Sequence, residues 1–300
     1  MPAIFRTQLR ALMRAAVYGN LAVMYPMIIS TGEIKKIHEI VESVGQELKD
    51  SGFEPVEFEL GFGSGEALPP IAIPNHTMKA VLRGFVDRVD VWDSGATRYF
   101  RVVDYKTGKK DFDYCDVYNG VGLQMLLYLF ALGENGHDLL GGHPIPAGVQ
   151  YFPARAPYMS AEGKLDGEAA QKERTAQWKR KGLLLNDEAV LQAMEPGDIP
   201  SRMCYTRKKD GTISGDLADR EQLKKLKEFV FQVLSNMVED IASGNVEPNP
   251  YTRGTSHNAC AYCPYGPICH EAEVTGRRNF KMMTAQRFWE EIDKEVKHHG

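Results

Sequence analysis

Two acids and a lysine carry the most specific chemistry in the chain. Asp87 lies in Gly84-Phe85-Val86-Asp87-Arg88-Val89-Asp90, and Asp104 and Lys106 lie in Val103-Asp104-Tyr105-Lys106-Thr107-Gly108. In a strand, side chains alternate between faces, so Asp104 and Lys106 point one way and Tyr105 the other. Two carboxylates brought together bind a hard divalent cation, Mg2+ or Mn2+, because like charges repel unless a cation lies between them. Such a cation polarises a phosphate oxygen and acidifies bound water. A lysine beside it can orient or deprotonate that water, or offset charge on the phosphate. The set suits phosphodiester hydrolysis. Gln124 and Tyr128 follow at a spacing of four, which puts both on one face of a helix.

A second cluster is Cys260-Ala261-Tyr262-Cys263-Pro264-Tyr265-Gly266-Pro267-Ile268-Cys269, a C-x2-C-x5-C pattern holding three of the five cysteines. Thiolates at this spacing suit an iron–sulfur cluster or zinc. His257 and His270 flank the pattern, and no pair of histidines completes a zinc finger. An odd cysteine count with a tight cluster argues for a reducing compartment, hence the cytoplasm, and against a disulfide framework.

These residues need a scaffold. Residues 79–92 alternate apolar and polar side chains, Asp93-Ser94-Gly95 is a turn, and residues 99–105 alternate again. The stretch 79–105 therefore reads as a hairpin that sets Asp87 beside Asp104. Helices are expected over 3–19, 32–50, 123–132, 219–243 and 284–297, with strands at 56–62 and 147–152. Composition turns polar and broken between about 158 and 220, which reads as an insertion. The fold class is α/β, a mixed sheet flanked by helices with helical additions and a C-terminal cysteine loop. The expected organisation is a helical segment over 1–52 and a catalytic domain over 53–300.

The 300 residues carry 36 Lys+Arg and 40 Asp+Glu, a net charge of −4. That excludes binding of nucleic acid by bulk positive charge, though not by a local basic groove. Apolar residues at 43% exclude wholesale disorder, and no run reaches the 18 apolar residues of a spanning helix. The apolar run at 20–30 is broken by Pro26 and lacks the cleavage site of a signal peptide. No membrane is expected as a partner. No Gly-x-x-x-x-Gly-Lys-Ser/Thr loop appears, so any nucleotide dependence lies elsewhere.

The ordered set resembles the RecB-like branch of the PD-(D/E)xK nucleases. That family's pattern is Gly-x-x-Asp-Arg-x-Asp, then Asp-Tyr-Lys-Thr-Gly, then Gln-x-x-x-Tyr. The resemblance implies a restriction-endonuclease-like core in which Asp87 and Asp104 hold the metal and Lys106 is catalytic. Gln124 and Tyr128 would lie beside the site, contacting DNA or supporting the catalytic groups. The cysteine triplet is similar to that of one subfamily, the B subunits of AddAB-type helicase–nucleases, which are ATP-dependent deoxyribonucleases. There a [4Fe–4S] cluster takes three C-terminal cysteines and one from far upstream. Tyr251-Thr252-Arg253-Gly254, residues 146–152 and residues 181–185 fit the same subfamily. The resemblance runs from about 35 to 290.

It further implies a DNA exonuclease acting on single strands from duplex ends in double-strand-break repair and recombination, with the helicase A subunit as partner. Arg88, Lys109, Lys110 and Arg253 are the candidates for tracking the strand. Two other readings stand beside it: a stand-alone RecB-like nuclease of the CRISPR-adaptation type, and an inactive DNA- or partner-docking fragment. No cysteine precedes Cys115, and His38, the N-terminal candidate for the family's metal-ligand histidine, lies in an unmatched context. The expectation is a C-terminal portion of a longer chain, with the fourth cluster ligand ahead of Met1 and the cluster itself at risk. Cys115 or Cys204 is the substitute within the chain.

Overall fold

A computed structural model describes residues 31–50, 60–75, 77–108, 110–154, 178–195, 202–254, 258–261, 263–269 and 278–299, with a few isolated positions between. The helix expected at 3–19 lies outside the described residues except at Arg6 and Leu9, both helical. The chain divides into two compact units that interleave along the sequence. One comprises Met1–Ile71, Arg83–Asp111 and Tyr128–Leu217, the other Ala72–Leu82, Phe112–Leu127 and Ala218–Gly300.

The first unit is built on a five-stranded mixed sheet. Its strand order is Leu217–Ala218, Lys181–Leu185, Ile145–Pro153, Arg98–Lys106 and Arg88–Asp93. Arg88–Asp93 and Arg98–Lys106 form the expected antiparallel hairpin, with Arg88 opposite Val103 and Asp93 opposite Arg98. Arg98–Lys106 then runs parallel to Ile145–Pro153, which is antiparallel to Lys181–Leu185. Parallel strands need a long crossover, and the intervening chain includes helices Tyr114–Tyr118 and Gln124–Asn135. Every residue from Tyr99 to Asp104 is buried, so the central strand is covered on both faces. Gly148 has φ +121°, and a Cβ there would run into the Leu183 carbonyl oxygen, so only glycine lets the neighbouring strand pair so closely.

Two expectations change. The single strand read at 79–92 is three short ones, Ala80–Leu82, Gly84–Val86 and Arg88–Asp93. Gly84–Val86 pairs with Leu60–Phe62, and Ala80–Leu82 with Ile71–Ile73, so only the last piece belongs to the hairpin. The segment 158–220 is not wholly an insertion. Lys181–Leu185 is a buried strand of the main sheet, and Leu184, Leu191, Met203 and Tyr205 form their own core cluster.

The second unit holds two long helices, Arg220–Ala242 and Ala285–His299. Asp219 starts the first with a capping box, accepting from the Gln222 amide while the Gln222 side chain accepts from the Asp219 amide. Leu223, Leu226, Phe229, Val230, Leu234 and Val238 recur at helical spacing and form its buried face. Phe288 and Ile292 are the fully buried residues of the second helix. No helix among the described residues is long and apolar enough to cross a membrane.

Candidate active site

The sheet delivers the two acids and the lysine to one place. The hairpin ladder stops at Arg88 opposite Val103. Asp87 sits in the bend just beyond, one step past the last pair and therefore opposite Asp104. Like charges facing each other across a ladder destabilise it, which accounts for the break at that step. The Asp87 carboxylate accepts a hydrogen bond from the Tyr105 amide at 3.3 Å. Burial raises the Asp87 pKa; the Tyr105 amide works against that rise, the nearby Asp104 carboxyl adds to it and Lys106 opposes it.

Asp104 is 7% exposed. The Lys106 ammonium stands 2.7 Å from its Oδ2. The contact lacks hydrogen-bond geometry, so among the described residues Oδ2 is a buried oxygen with a charge partner and no donor. Burying an ionised oxygen without a full set of partners is costly. A cation is the ligand that such an oxygen lacks. Tyr151 lies opposite Asp104 in the next strand and Lys181 opposite Tyr151 in the one after. These three therefore form a row on one face of the sheet. The Tyr151 phenol is pushed up to about 12, first by burial and then by the Asp104 charge. Lys110 places its ammonium 6.0 Å from the Tyr151 ring centroid, and Lys181 pairs with Asp111 at 3.0 Å.

Asp87 and Asp104 fit a divalent cation: two carboxylates side by side, one with an unserved buried oxygen and the other reluctant to ionise. No group of three or more His, Cys, Asp or Glu converges among the described residues. Water therefore completes the shell, as suits magnesium. His38 is exposed on helix Thr31–Asp50, consistent with a surface histidine.

Tyr128 packs edge-on against Phe62, ring centroids 5.5 Å apart. Both rings crowd Gly84, where a Cβ would meet Phe62 Cζ at 2.9 Å and Tyr128 Cε1 at 3.0 Å. The glycine three residues ahead of Asp87 is thus a packing requirement. Gln124 is the exposed first residue of helix Gln124–Asn135 and falls in the second unit. Two proposed strand-tracking arginines spend their donors internally. Arg88 binds Asp90 at 2.5 Å and the Tyr105 hydroxyl at 2.9 Å. Arg253 grips Asp113 at 2.8 and 3.0 Å. Lys110 is exposed, and Lys109 lies outside the described residues.

The chain matches the sequence model of the PD-(D/E)XK nuclease superfamily over residues 7–270. It belongs to that superfamily. The chain is also 35% identical over 246 residues to the B subunit of the ATP-dependent helicase/deoxyribonuclease from Acetivibrio thermocellus, covering 80% of this chain and 21% of that protein. The protein of the same name from Clostridium novyi is 36% identical over 273 residues, covering 87% and 23%. That from Oceanobacillus iheyensis is 33% identical over 258 residues, covering 82% and 22%. The chain spans about a fifth of the length of the curated relatives it matches.

The cysteine triplet is placed differently. Cys260 is half-buried, while Cys263 and Cys269 are exposed. Among the described residues the thiols do not gather into a metal-holding group. The loop is nevertheless closed at its base. Strand Tyr251–Thr252 pairs in parallel with Arg278–Asn279, and Tyr251 stacks on Phe280 with centroids 5.3 Å apart. The two cysteines outside the triplet are poor thiolates. Burial raises the Cys115 thiol, which donates to the Lys281 carbonyl at 3.1 Å, and pushes the Cys204 thiol up to about 12. As placed, the described residues do not form an iron–sulfur site.

Sequence reading missed Tyr151, Lys181, Arg101 and Gln150 as parts of this region. Their only signal was alternation along strands whose pairing partners lie far away in sequence.

Proposed function

We propose that the chain is a magnesium- or manganese-dependent deoxyribonuclease domain of a helicase–nuclease complex, cutting single strands delivered from duplex ends during double-strand-break repair. The observation that carries it is the convergence of Asp87, Asp104 and Lys106 around the unserved Asp104 Oδ2. Asp87 and Asp104 would hold the cation, which when bound supplies Lewis-acid polarisation of the phosphate and a more acidic water. Lys106, already against Asp104, would orient the attacking water or meet charge developing on the phosphate. Burial of Asp104 and Tyr151 keeps that corner dry, which strengthens each charge interaction. Tyr128 and Gly84 would support the Asp87 bend from behind, and Lys110 and Lys181 would meet the phosphate backbone beside the site.

The names of the relatives support a helicase partner, the A subunit, and DNA as substrate. Cys260, Cys263 and Cys269 would bind a [4Fe–4S] cluster only with a fourth ligand from outside the described residues. The test is degradation of end-labelled single-stranded DNA in Mg2+ or Mn2+ by the wild type beside Asp104→Asn and Lys106→Ala. Metal-dependent cleavage lost in both variants supports the reading. Cleavage unchanged by either, or absent from folded wild type, overturns it.

A further inference from the structure

The face of the hairpin turned away from Asp104 holds a chain of polar contacts that the catalytic chemistry does not use. Asp87 and Arg88 are consecutive, and both reach Tyr105. Asp87 accepts from its amide at 3.3 Å, and Arg88 donates to its hydroxyl at 2.9 Å. Tyr105 itself is the residue between Asp104 and Lys106. From Arg88 the contacts continue across the sheet. Arg88 Nε meets Asp90 Oδ1 at 2.5 Å, and Arg101 meets Asp90 Oδ2 at 2.7 and 2.9 Å. Arg101 Nη1 then donates to the fully buried Gln150 at 2.7 Å. Phe152 forms the floor, edge-on to Tyr105 at 5.9 Å with the Arg88 and Arg101 guanidiniums 5.8 and 5.6 Å from its centroid.

The ladder itself does not fix Asp87, because it ends one pair earlier. Nothing in backbone pairing then sets how close the two repelling carboxylates stand. We infer that Arg88 and Tyr105 are positioning residues for the cation: gripped at its amide by Asp87 and at its hydroxyl by Arg88, Tyr105 fixes the Asp87 carboxylate at bonding range of Asp104. The inference rests on the reading of Asp87 and Asp104 as the metal acids. It also explains the Arg and second Asp of the Asp-Arg-x-Asp stretch, since Asp90 holds the Arg88 guanidinium aimed at the phenol. Charge-assisted contacts of this kind are directional and resist displacement. Partners one step behind a metal ligand commonly carry about 10–100-fold in metal affinity.

The test is Mn2+ binding to the 300-residue chain without DNA, read from loss of the free-ion paramagnetic resonance signal. Wild type, Asp104→Asn, Tyr105→Phe and Arg88→Lys are compared, with thermal melting of each. Tyr105→Phe keeps the amide and the ring and removes only the hydroxyl. Arg88→Lys keeps the charge but cannot serve Asp90 and Tyr105 together. Saturable binding is expected in the wild type, lost in Asp104→Asn and weakened about 10-fold in both other variants, with the melting of Tyr105→Phe unchanged. Wild-type affinity in Tyr105→Phe and Arg88→Lys, beside loss in Asp104→Asn, overturns the inference and leaves the metal reading standing. Weakening that only tracks a lowered melting temperature overturns it too, since that is what a general structural contact would give. Binding that does not need Asp104 overturns the metal reading itself.

Discussion

The catalytic hairpin and the cysteine loop are two motifs of similar sequence clarity with opposite structural outcomes. Asp87, Asp104 and Lys106 are brought together by strand register, and contacts behind them hold the arrangement. Cys260, Cys263 and Cys269 sit on a loop closed at its base, with two of the three exposed and no gathering among described residues. Side chains on a sheet are placed by the backbone before any ligand arrives. Those on a loop are placed by whatever they bind, because binding supplies the ordering free energy. The hairpin is therefore preorganised, and the loop is a scaffold whose base alone is fixed.

The largest effect that would break this contrast is at the acids. Asp104→Asn or Lys106→Ala should lower metal-dependent cleavage by about 10³-fold, with the melting temperature little changed, in a single-turnover assay on labelled single-stranded DNA. A loss of only a few-fold would mean that the preorganised group is not the catalytic one.

Next in size is packing beneath the hairpin. Gly84→Ala inserts a methyl within 3.0 Å of both the Phe62 and Tyr128 rings. Overpacking of this sort costs about 1–3 kcal/mol, read by denaturant unfolding. Cleavage should fall as well, because the displaced segment leads into Asp87. A neutral outcome would mean that Phe62 and Tyr128 shift freely, and that Tyr128 does not brace the site.

The base of the loop offers a third test, through charge. Arg253 is well covered and grips Asp113 with both terminal nitrogens, with Asp116 a further 3.4 Å contact. Burial tends to raise the Asp113 pKa, but the Arg253 hydrogen bond, the Asp116 amide and the Arg253 charge outweigh it and hold it below the ordinary aspartate value. A depressed pKa contributes stability above the unfolded value that is lost as pH falls through the folded one. Wild type should therefore lose stability below about pH 4, and Arg253→Ala should lose part of that acid dependence together with about 1–3 kcal/mol at neutral pH. Asp87 has the opposite sign. Its raised pKa destabilises the metal-free hairpin as pH rises through it. Mg2+ should thus raise the melting temperature more at neutral pH than at acid pH, and equal shifts at both would count against Asp87 as a ligand.

How far these two regions were legible in sequence differs for the same reason. Alternation over 88–93 and 98–106 located the hairpin and the shared face of Asp104 and Lys106, since a period of two is a local property. The break at Asp87 was not legible, because it arises from an opposing carboxylate on the next strand and from rings that need Gly84 bare. Nor was the Arg88–Tyr105 contact, which depends on register. Polar composition hid Lys181–Leu185, a strand whose apolar residues face the core although its neighbours do not. The cysteine spacing showed what chemistry the loop suits, and spacing cannot show whether thiols converge.

The smallest expected effect sharpens the contrast most. Replacing Cys260, Cys263 and Cys269 together by Ser should leave cleavage by the chain within about 2–3-fold of wild type, since surface changes away from packed features usually stay within about 0.5 kcal/mol. The reason lies in the base of the loop. The Tyr251–Phe280 stack, the pairing of Tyr251–Thr252 with Arg278–Asn279, and the Arg253–Asp113 pair close it without any thiol. None of the hairpin contacts that place Asp87 or Asp104 involves a cysteine. Iron and sulfide analysis of the same preparations fixes the interpretation. A large loss of cleavage in the triple variant, with iron present in the wild type, would show that a cluster orders the hairpin from a distance, and the division between a preorganised site and a ligand-dependent loop would no longer hold.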